Sequence, residues 1–175
     1  MKGGLWMFQI GDYIIYGMNG VCVVENIGEI ETEVVPKDRI YYTLRPYYSD
    51  RSTIFTPTDN QKVKMRSILT KEEAISLLNS IHHIDCLWVN DEKGREMEYK
   101  EAIKQYDCKQ LLKIVKSLYL SRKEKLADGK KVPARDEKYY HMAEDSLYGE
   151  LALSLRLEIE ETKDLVLSKI EEALL

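Results

Sequence analysis

Few side chains in this sequence stand where they could do covalent chemistry. His82, His83 and Cys86 form a His-His-x-x-Cys run of the residue types that hold zinc. A closed site needs a second ligand pair, so the competing reading is a helix-terminal surface with two histidines above one small buried thiol. Cys22, Cys86 and Cys108 are an odd count without a CxxC spacing, which argues against a disulfide scaffold. His141 stands alone in a helical stripe, and the acidic pairs Glu160-Glu161 and Glu171-Glu172 sit at helix ends, where solvated faces explain them better than acid–base catalysis. The sequence carries no Walker loop, no GxGxxG after a strand, no GxSxG and no HExxH. The expectation is therefore a protein that is not an enzyme, with no catalytic residues, metal or cofactor.

Trp88 offers a different chemistry. It stands in the connection Ile84-Asp85-Cys86-Leu87-Trp88-Val89-Asn90 between two helical stretches. A tryptophan in a connection either plugs the local core or serves as an exposed apolar wedge that inserts between base steps in a minor groove. Lys93, Arg95, Lys100 and Lys104 follow it, and Arg122, Lys123, Lys125, Lys130 and Lys131 crowd the end of a later helix. Cations in those two places would track phosphates without reading sequence. Acidic neighbours Asp91, Glu92, Glu96 and Glu98 weigh against it.

The elements that must position these residues change character near residue 69. Before it, runs rich in Ile, Val, Tyr and Thr predict strands at Tyr13–Tyr16, Val21–Ile27, Ile40–Leu44 and Thr53–Thr56, with Asn19-Gly20 supplying the positive φ of a hairpin turn. Four or five short strands in about sixty residues imply a small, bent sheet or partly open barrel. After it the period is helical. Thr70-Lys71-Glu72-Glu73 is a capping box followed by Ala74, Leu77, Leu78 and Ile81, and Asp107 opens a helix with the stripe Leu111, Ile114, Val115, Leu118 and Tyr119, ended by Gly129. Two later helices carry Tyr140, Ala143, Leu147 and Leu151, then Leu165, Val166, Ile170 and Leu174; with a segment around Met97–Tyr106 that makes five. The fold class is α+β, with a β module at 7–69 and a compact helical module at 70–175.

Charge constrains the partners. The 175 residues carry a formal net charge of −4, all of it beyond residue 69, since residues 1–69 balance 8 basic against 8 acidic side chains. An autonomous DNA binder usually has a net basic surface, so any DNA contact must be local or assisted by a partner. No run approaches 18 uncharged apolar residues and MKGGLW lacks the apolar region of a secretory signal, so a cytoplasmic protein without a membrane partner is expected.

Several motifs together resemble a known family. Phe8-Gln9-Ile10-Gly11-Asp12-Tyr13-Ile14-Ile15-Tyr16, then Gly20-Val21, then Thr56-Pro57-Thr58-Asp59-Asn60, resembles the polymerase-interacting module shared by CarD/CdnL regulators and transcription-repair coupling factor. Trp88 in a linker, Tyr99-Lys100-Glu101, Asp136-Glu137-Lys138 and Gly149-Glu150-Leu151-Ala152-Leu153 resemble the helical domain of the CarD/CdnL group. The resemblance implies a bacterial transcription regulator. Its Tudor-like β module would bind the RNA polymerase β subunit through Gly28, Glu29, Ile30, Glu31, Thr53 and Phe55. Trp88 would wedge at the upstream edge of the promoter bubble and stabilise the open complex, with helpers on promoter DNA drawn from Arg95, Lys100 and Lys138; Arg122 and Lys125 of the later basic cluster are further DNA-contacting candidates by their charge. Family arginines on the polymerase side are replaced by Ile30 and Phe55, so an ionic contact becomes apolar or is lost. The competing class is an adaptor that pairs an edge strand with a partner and never touches DNA.

Overall fold

The hairpin that the sequence signals does form, with its turn built differently. In the computed structural model, which describes residues 7–31, 36, 38–49, 52–87 and 91–174, β1 (Tyr13–Tyr16) pairs antiparallel with β2 (Val21–Gly28), with Ile14 opposite Cys22. A single 3-10 turn, Gly17–Asn19, joins them. The positive φ values fall on Gly17 (+47°) and Gly20 (+68°), while Asn19 lies within the right-handed turn, because a helical turn needs left-handed residues only at its two exits. At Gly17 a side chain is also excluded sterically: a Cβ would lie 2.8 Å from Val63 Cγ1.

The sheet continues through β3 (Tyr41–Pro46), β4 (Ile54–Pro57) and β5 (Met65–Ser67) in the order β4-β3-β2-β1-β5, antiparallel throughout and not closed. Two strands start later than the sequence suggests, so Ile40 and Thr53 precede β3 and β4 rather than joining them. β5 carries no strand signal of its own; its three residues are drafted by pairing with Ile14, Ile15 and Tyr16. A bulge between Val24 and Asn26 shifts the register of β2 against β3. The extra residue lets Val24 and Ile27, three apart, both pack on the core formed by Phe8, Ile14, Tyr16, Cys22, Tyr42 and Leu44. Burial pushes the Cys22 thiol up to about 11, so it remains protonated and inert at neutral pH.

The chain divides into two compact units, Met1–Ile68 and Leu69–Leu175. In the second, α1 (Lys71–Asn79) opens with the expected capping box: Glu73 N–H donates to Thr70 Oγ1 (3.1 Å) and Thr70 N–H to Glu73 Oε2 (2.8 Å). A 3-10 turn, Ser80–His83, follows. α2 (Glu92–Gln105) starts at an Asp91 cap, several residues earlier than the apolar pattern suggests. α3 (Cys108–Ala127) is capped by Asp107, and its end is a Schellman motif in which Gly129 N–H donates to Leu126 O and Lys130 N–H to Lys125 O. α4 (Ala134–Leu155) and α5 (Ile159–Glu172) complete five helices. Among the described residues no helix is long and apolar enough to cross a membrane.

The core of this unit is the meeting of the predicted stripes, with Ala74, Leu78, Ile81, Leu111, Ile114, Val115, Ala143, Leu147, Leu151, Val166 and Ile170 all buried. The stripe on α5 stops at Ile170. Leu174 lies beyond the last helical turn and is 54% exposed, and Leu77 and Leu165 are only half-buried at the edge of the cluster. Among the polar side chains that this unit buries, Glu150, with no exposed surface, accepts hydrogen bonds from Leu69 N–H and Cys108 Sγ–H, each at 2.9 Å.

Gly17→Ala and Gly129→Ala both place an L side chain at positive φ, but a Cβ on Gly129 meets nothing within 4 Å. Gly17→Ala is expected to lose more stability, by about 1 kcal/mol or above. Urea-dependent hydrogen exchange followed in each unit checks this; equal losses would mean that Val63 yields freely.

Candidate functional site

On the β unit the two groups of candidate partner-binding residues are related by strand register. Gly28 pairs with Tyr41 and Tyr41 with Pro57, whereas Asn26 pairs with Thr43 and Thr43 with Phe55. Phe55 is therefore set back two residues, about 7 Å, along the strand direction from the row that contains Gly28, and Thr53, just before β4, about 13 Å. The end of β2, where Glu29 and Glu31 are exposed and Ile30 is half-buried, and Thr53 lie toward opposite ends of the sheet, with Phe55 between them. Phe55 is 43% exposed on the face opposite the core-facing Thr56, and β4 forms an open edge of the sheet. An unpaired edge offers a row of backbone donors and acceptors to an incoming strand, and an apolar side chain beside it adds a specific contact.

The same outer face holds residues that the sequence reading passed over. Arg45, two positions along β3 from Thr43, is ion-paired to Glu25 with Nε 2.5 Å from Oε1. Tyr13, Tyr47 and Tyr48 form an exposed edge-to-face series with ring centroids 5.4 and 4.9 Å apart. The period-2 alternation Thr43, Arg45, Tyr47 was the available signal.

On the helical unit, Trp88 lies outside the described residues, as do Val89 and Asn90. Its flanks are tied down: Leu87 N–H donates to Ser117 Oγ at 2.8 Å, and Asp91 Oδ2 accepts from Gly94 N–H at 2.8 Å at the start of α2. The cationic candidates fall into two groups. Lys100 is held 2.8 Å from Glu96, which also accepts from Tyr139 Oη at 2.9 Å. The Lys100 hydrogen bond, then that of Tyr139, keeps the Glu96 carboxyl below its ordinary value. Lys138 Nζ stands 5.7 Å over the Tyr139 ring, and the Tyr99 and Tyr139 rings, 5.5 Å apart, join α2 to α4. Arg95, half-buried on α2, has its Nε buried without a hydrogen-bond partner.

The second group lies at the end of α3. Arg122 pairs with Glu137 at 3.5 Å and lies 6.0 Å over the Tyr140 ring, and Lys125 pairs with Asp136 at 3.2 Å. Lys123 is bound by Glu171, 2.6 Å away, which also accepts from Tyr119 Oη. These pairs are not equivalent. Exposed pairs such as Lys100–Glu96 are screened by water and contribute little, so a phosphate can replace the carboxylate at small cost. Asp136 is 4% exposed, and taking Lys125 away would leave this buried carboxylate with only Arg135, 4.0 Å off, as its counter-charge, which ties Lys125 to the fold.

His82 and His83 are exposed at the end of their 3-10 turn with Cys86 half-buried beyond, and among the described residues no three His, Cys, Asp or Glu side chains are grouped to hold a metal. His141 is not alone: it lies between Glu144 at 3.0 Å and Glu137 at 3.6 Å.

Comparison with known proteins adds the decisive observation on the β unit: residues 8–69 match the family described as the CarD-like/TRCF RID domain. The β unit belongs to the CarD-like family. A Bacillus subtilis (strain 168) protein named "Putative transcription factor YdeB" is 26% identical over 140 residues, covering 76% of this chain and 86% of its own. The CarD-like RNA-polymerase-interacting domain and this relative together support transcription regulation as the broad function.

The helical unit that follows the CarD-like domain yields a pH test of its ion pairs. The Lys123 hydrogen bond, then that of Tyr119, holds Glu171 below the ordinary carboxylate value of 4.5. A depressed folded-state value means that the pair stabilises above about 4.5 and is lost as pH falls through the folded value. The stability deficit of Lys123→Ala relative to the parent is expected to be largest at neutral pH and to shrink toward pH 3, as read from urea unfolding; a deficit constant with pH would show that the pair contributes nothing.

Proposed function

We propose that this protein is a transcription regulator that acts by binding alone. Its CarD-like domain docks on the β subunit of RNA polymerase through the β4 edge around Phe55 and the end of β2 at Gly28–Glu31. The helical unit delivers Trp88 to the upstream edge of the promoter bubble, where the indole wedges into the minor groove and hinders collapse of the melted DNA. The observation that carries the reading is the domain match combined with an open β4 edge that presents Phe55. Thr53 and Phe55 serve one contact and Gly28, Glu29, Ile30 and Glu31 another.

The charge of the chain supports a division of labour. A wedge gains its energy by gripping distorted duplex rather than by charge, and tethering to polymerase raises the effective concentration of DNA at the helical unit. Lys100, Lys138, Arg95 and Arg122 are then sufficient to set register on phosphates at an exposed surface. One observation favours the adaptor reading, in which DNA is not touched: Arg122, Lys123 and Lys125 are all engaged by carboxylates of the same unit.

Two measurements separate the readings. Phe55→Ala is expected to weaken binding of the isolated polymerase β subunit about tenfold, and unchanged affinity would remove β4 from the interface. Trp88→Ala is expected to leave polymerase binding intact while abolishing the protein's effect on open-complex lifetime; an unaltered effect would favour the adaptor. Fluorescent duplex should bind tightly only when polymerase is present, and tight, salt-insensitive binding by the protein alone would sink the tethering scheme.

A further inference from the structure

The run Thr56-Pro57-Thr58-Asp59-Asn60 carries the chain out of β4, and each of its polar side chains is engaged. Asn60 Nδ2 donates to Thr56 Oγ1 and Asn60 Oδ1 accepts the Lys62 N–H, each at 2.8 Å. Thr58 donates to Ile40 O through both its N–H (3.0 Å) and its Oγ1 (3.2 Å). Asp59 holds Arg39 Nη2 by contacts of 2.8 and 3.0 Å, and Asn60 N–H closes the turn on Pro57 O at 3.0 Å. Arg39 and Ile40 lie just before β3, so the chain leaving β4 is fastened to the chain entering its neighbour.

β4 is four residues long and paired on one side only, and short edge strands are among the first parts of a sheet to open. In an antiparallel pair the backbone groups of alternate residues face the neighbour. Thr58 donates to Ile40, and the same register runs through Thr56 with Tyr42 and Ile54 with Leu44. Those residues face β3, and the N–H and C=O of Phe55 face outward. Pro57 has no N–H, so within β4 Phe55 alone offers both a donor and an acceptor at the open edge. Of the bonds around the turn, the one from Asn60 grips a side chain of β4 itself: Thr56, 1% exposed and next to Phe55. A valine would suit a buried strand position better, and what it lacks is the hydroxyl that Asn60 binds.

We propose that Thr56 and Asn60 are positioning residues for the β4 edge, holding Phe55 and its outward backbone groups in place for docking on polymerase. This rests on the reading of β4 as a docking edge, and the two are separable by experiment. A strand that is out of place for part of the time lowers the apparent affinity by the fraction displaced. Thr56→Val keeps the β-branched shape and loses the hydroxyl, so it is the primary test, and Thr56→Ser, which keeps the hydroxyl, is the control.

In the full chain, Thr56→Val is expected to speed hydrogen exchange at the Ile54, Thr56 and Thr58 amides roughly fivefold, the equivalent of one neutral hydrogen bond, with the amides of β1 and β2 unchanged. Binding of the polymerase β subunit is expected to weaken roughly threefold, with Thr56→Ser close to the parent and no further loss from Thr56→Val in an Asn60→Ala background. Unchanged exchange at β4 overturns the positioning role. So does faster exchange throughout the sheet, which would mean that the hydroxyl serves the fold as a whole, and so does a full additional loss in the Asn60→Ala background, which would mean that Thr56 acts by another route. If exchange at β4 quickens while affinity holds, Phe55→Ala decides between the two ideas. Binding weakened by Phe55→Ala then overturns the positioning role, whereas binding unaltered by it removes the docking edge and leaves the hold on β4 upheld by the exchange.

Discussion

The helical unit is organised around polar groups that its core cannot leave unsatisfied. Glu150, fully buried on α4, takes the Leu69 amide at the start of the unit and the Cys108 thiol at the start of α3. Lys116 and Ser117, buried on α3, take the carbonyls and amide of the connection that leaves α1. An apolar core of these helices would tolerate small slides and rotations, because hydrophobic contact is non-directional. A buried hydrogen bond is not tolerant in that way: a displaced donor leaves its partner desolvated and unpaired. These few bonds therefore fix where the chain enters the unit and where it stands when it reaches Leu87.

The same economy of partners governs the surface. Most candidate DNA-contacting cations already have a carboxylate, which is how a unit with crowded lysines and arginines arrives at a negative balance. Pairing does not remove them from use equally. Exposed pairs exchange partners at little cost, whereas Lys125 neutralises a buried carboxylate whose other cation, Arg135, stands farther off at 4.0 Å. A surface of exchangeable pairs would bind phosphate weakly by itself, which is why the proposed function relies on polymerase to bring the DNA near.

Much of this was legible in the chain before folding was considered. Thr70 and Glu73 cap α1, Asp107 caps α3 and Gly129 ends it as their spacing predicts, and the runs at Tyr13–Tyr16 and Val21–Ile27 are paired strands. Where the reading missed, a longer-range cause was at work. The positive φ fell on Gly17 rather than Asn19 because the turn is helical, β5 exists only by pairing with β1, and Leu174 follows the apolar rhythm past the end of the helix that would have buried it. Phe55 was visible as an apolar residue on a strand, but its place on an open edge follows from strand order.

What the sequence determined by itself is whatever acts within about a turn or a hairpin: caps, stops, alternation, the change of period near residue 69 and the charge balance of each part. Such signals are legible because the interacting groups are at most a few residues apart in the chain, so their meeting is nearly guaranteed. Tertiary structure decided the rest. Lys116 reads locally as one more helical lysine and becomes a buried clamp only because Ile81 and Ile84, more than thirty residues earlier, are packed beneath it. Lys123 finds Glu171 across 48 residues, and no pattern of spacing reports that meeting, since it depends on the angle at which two whole helices pack.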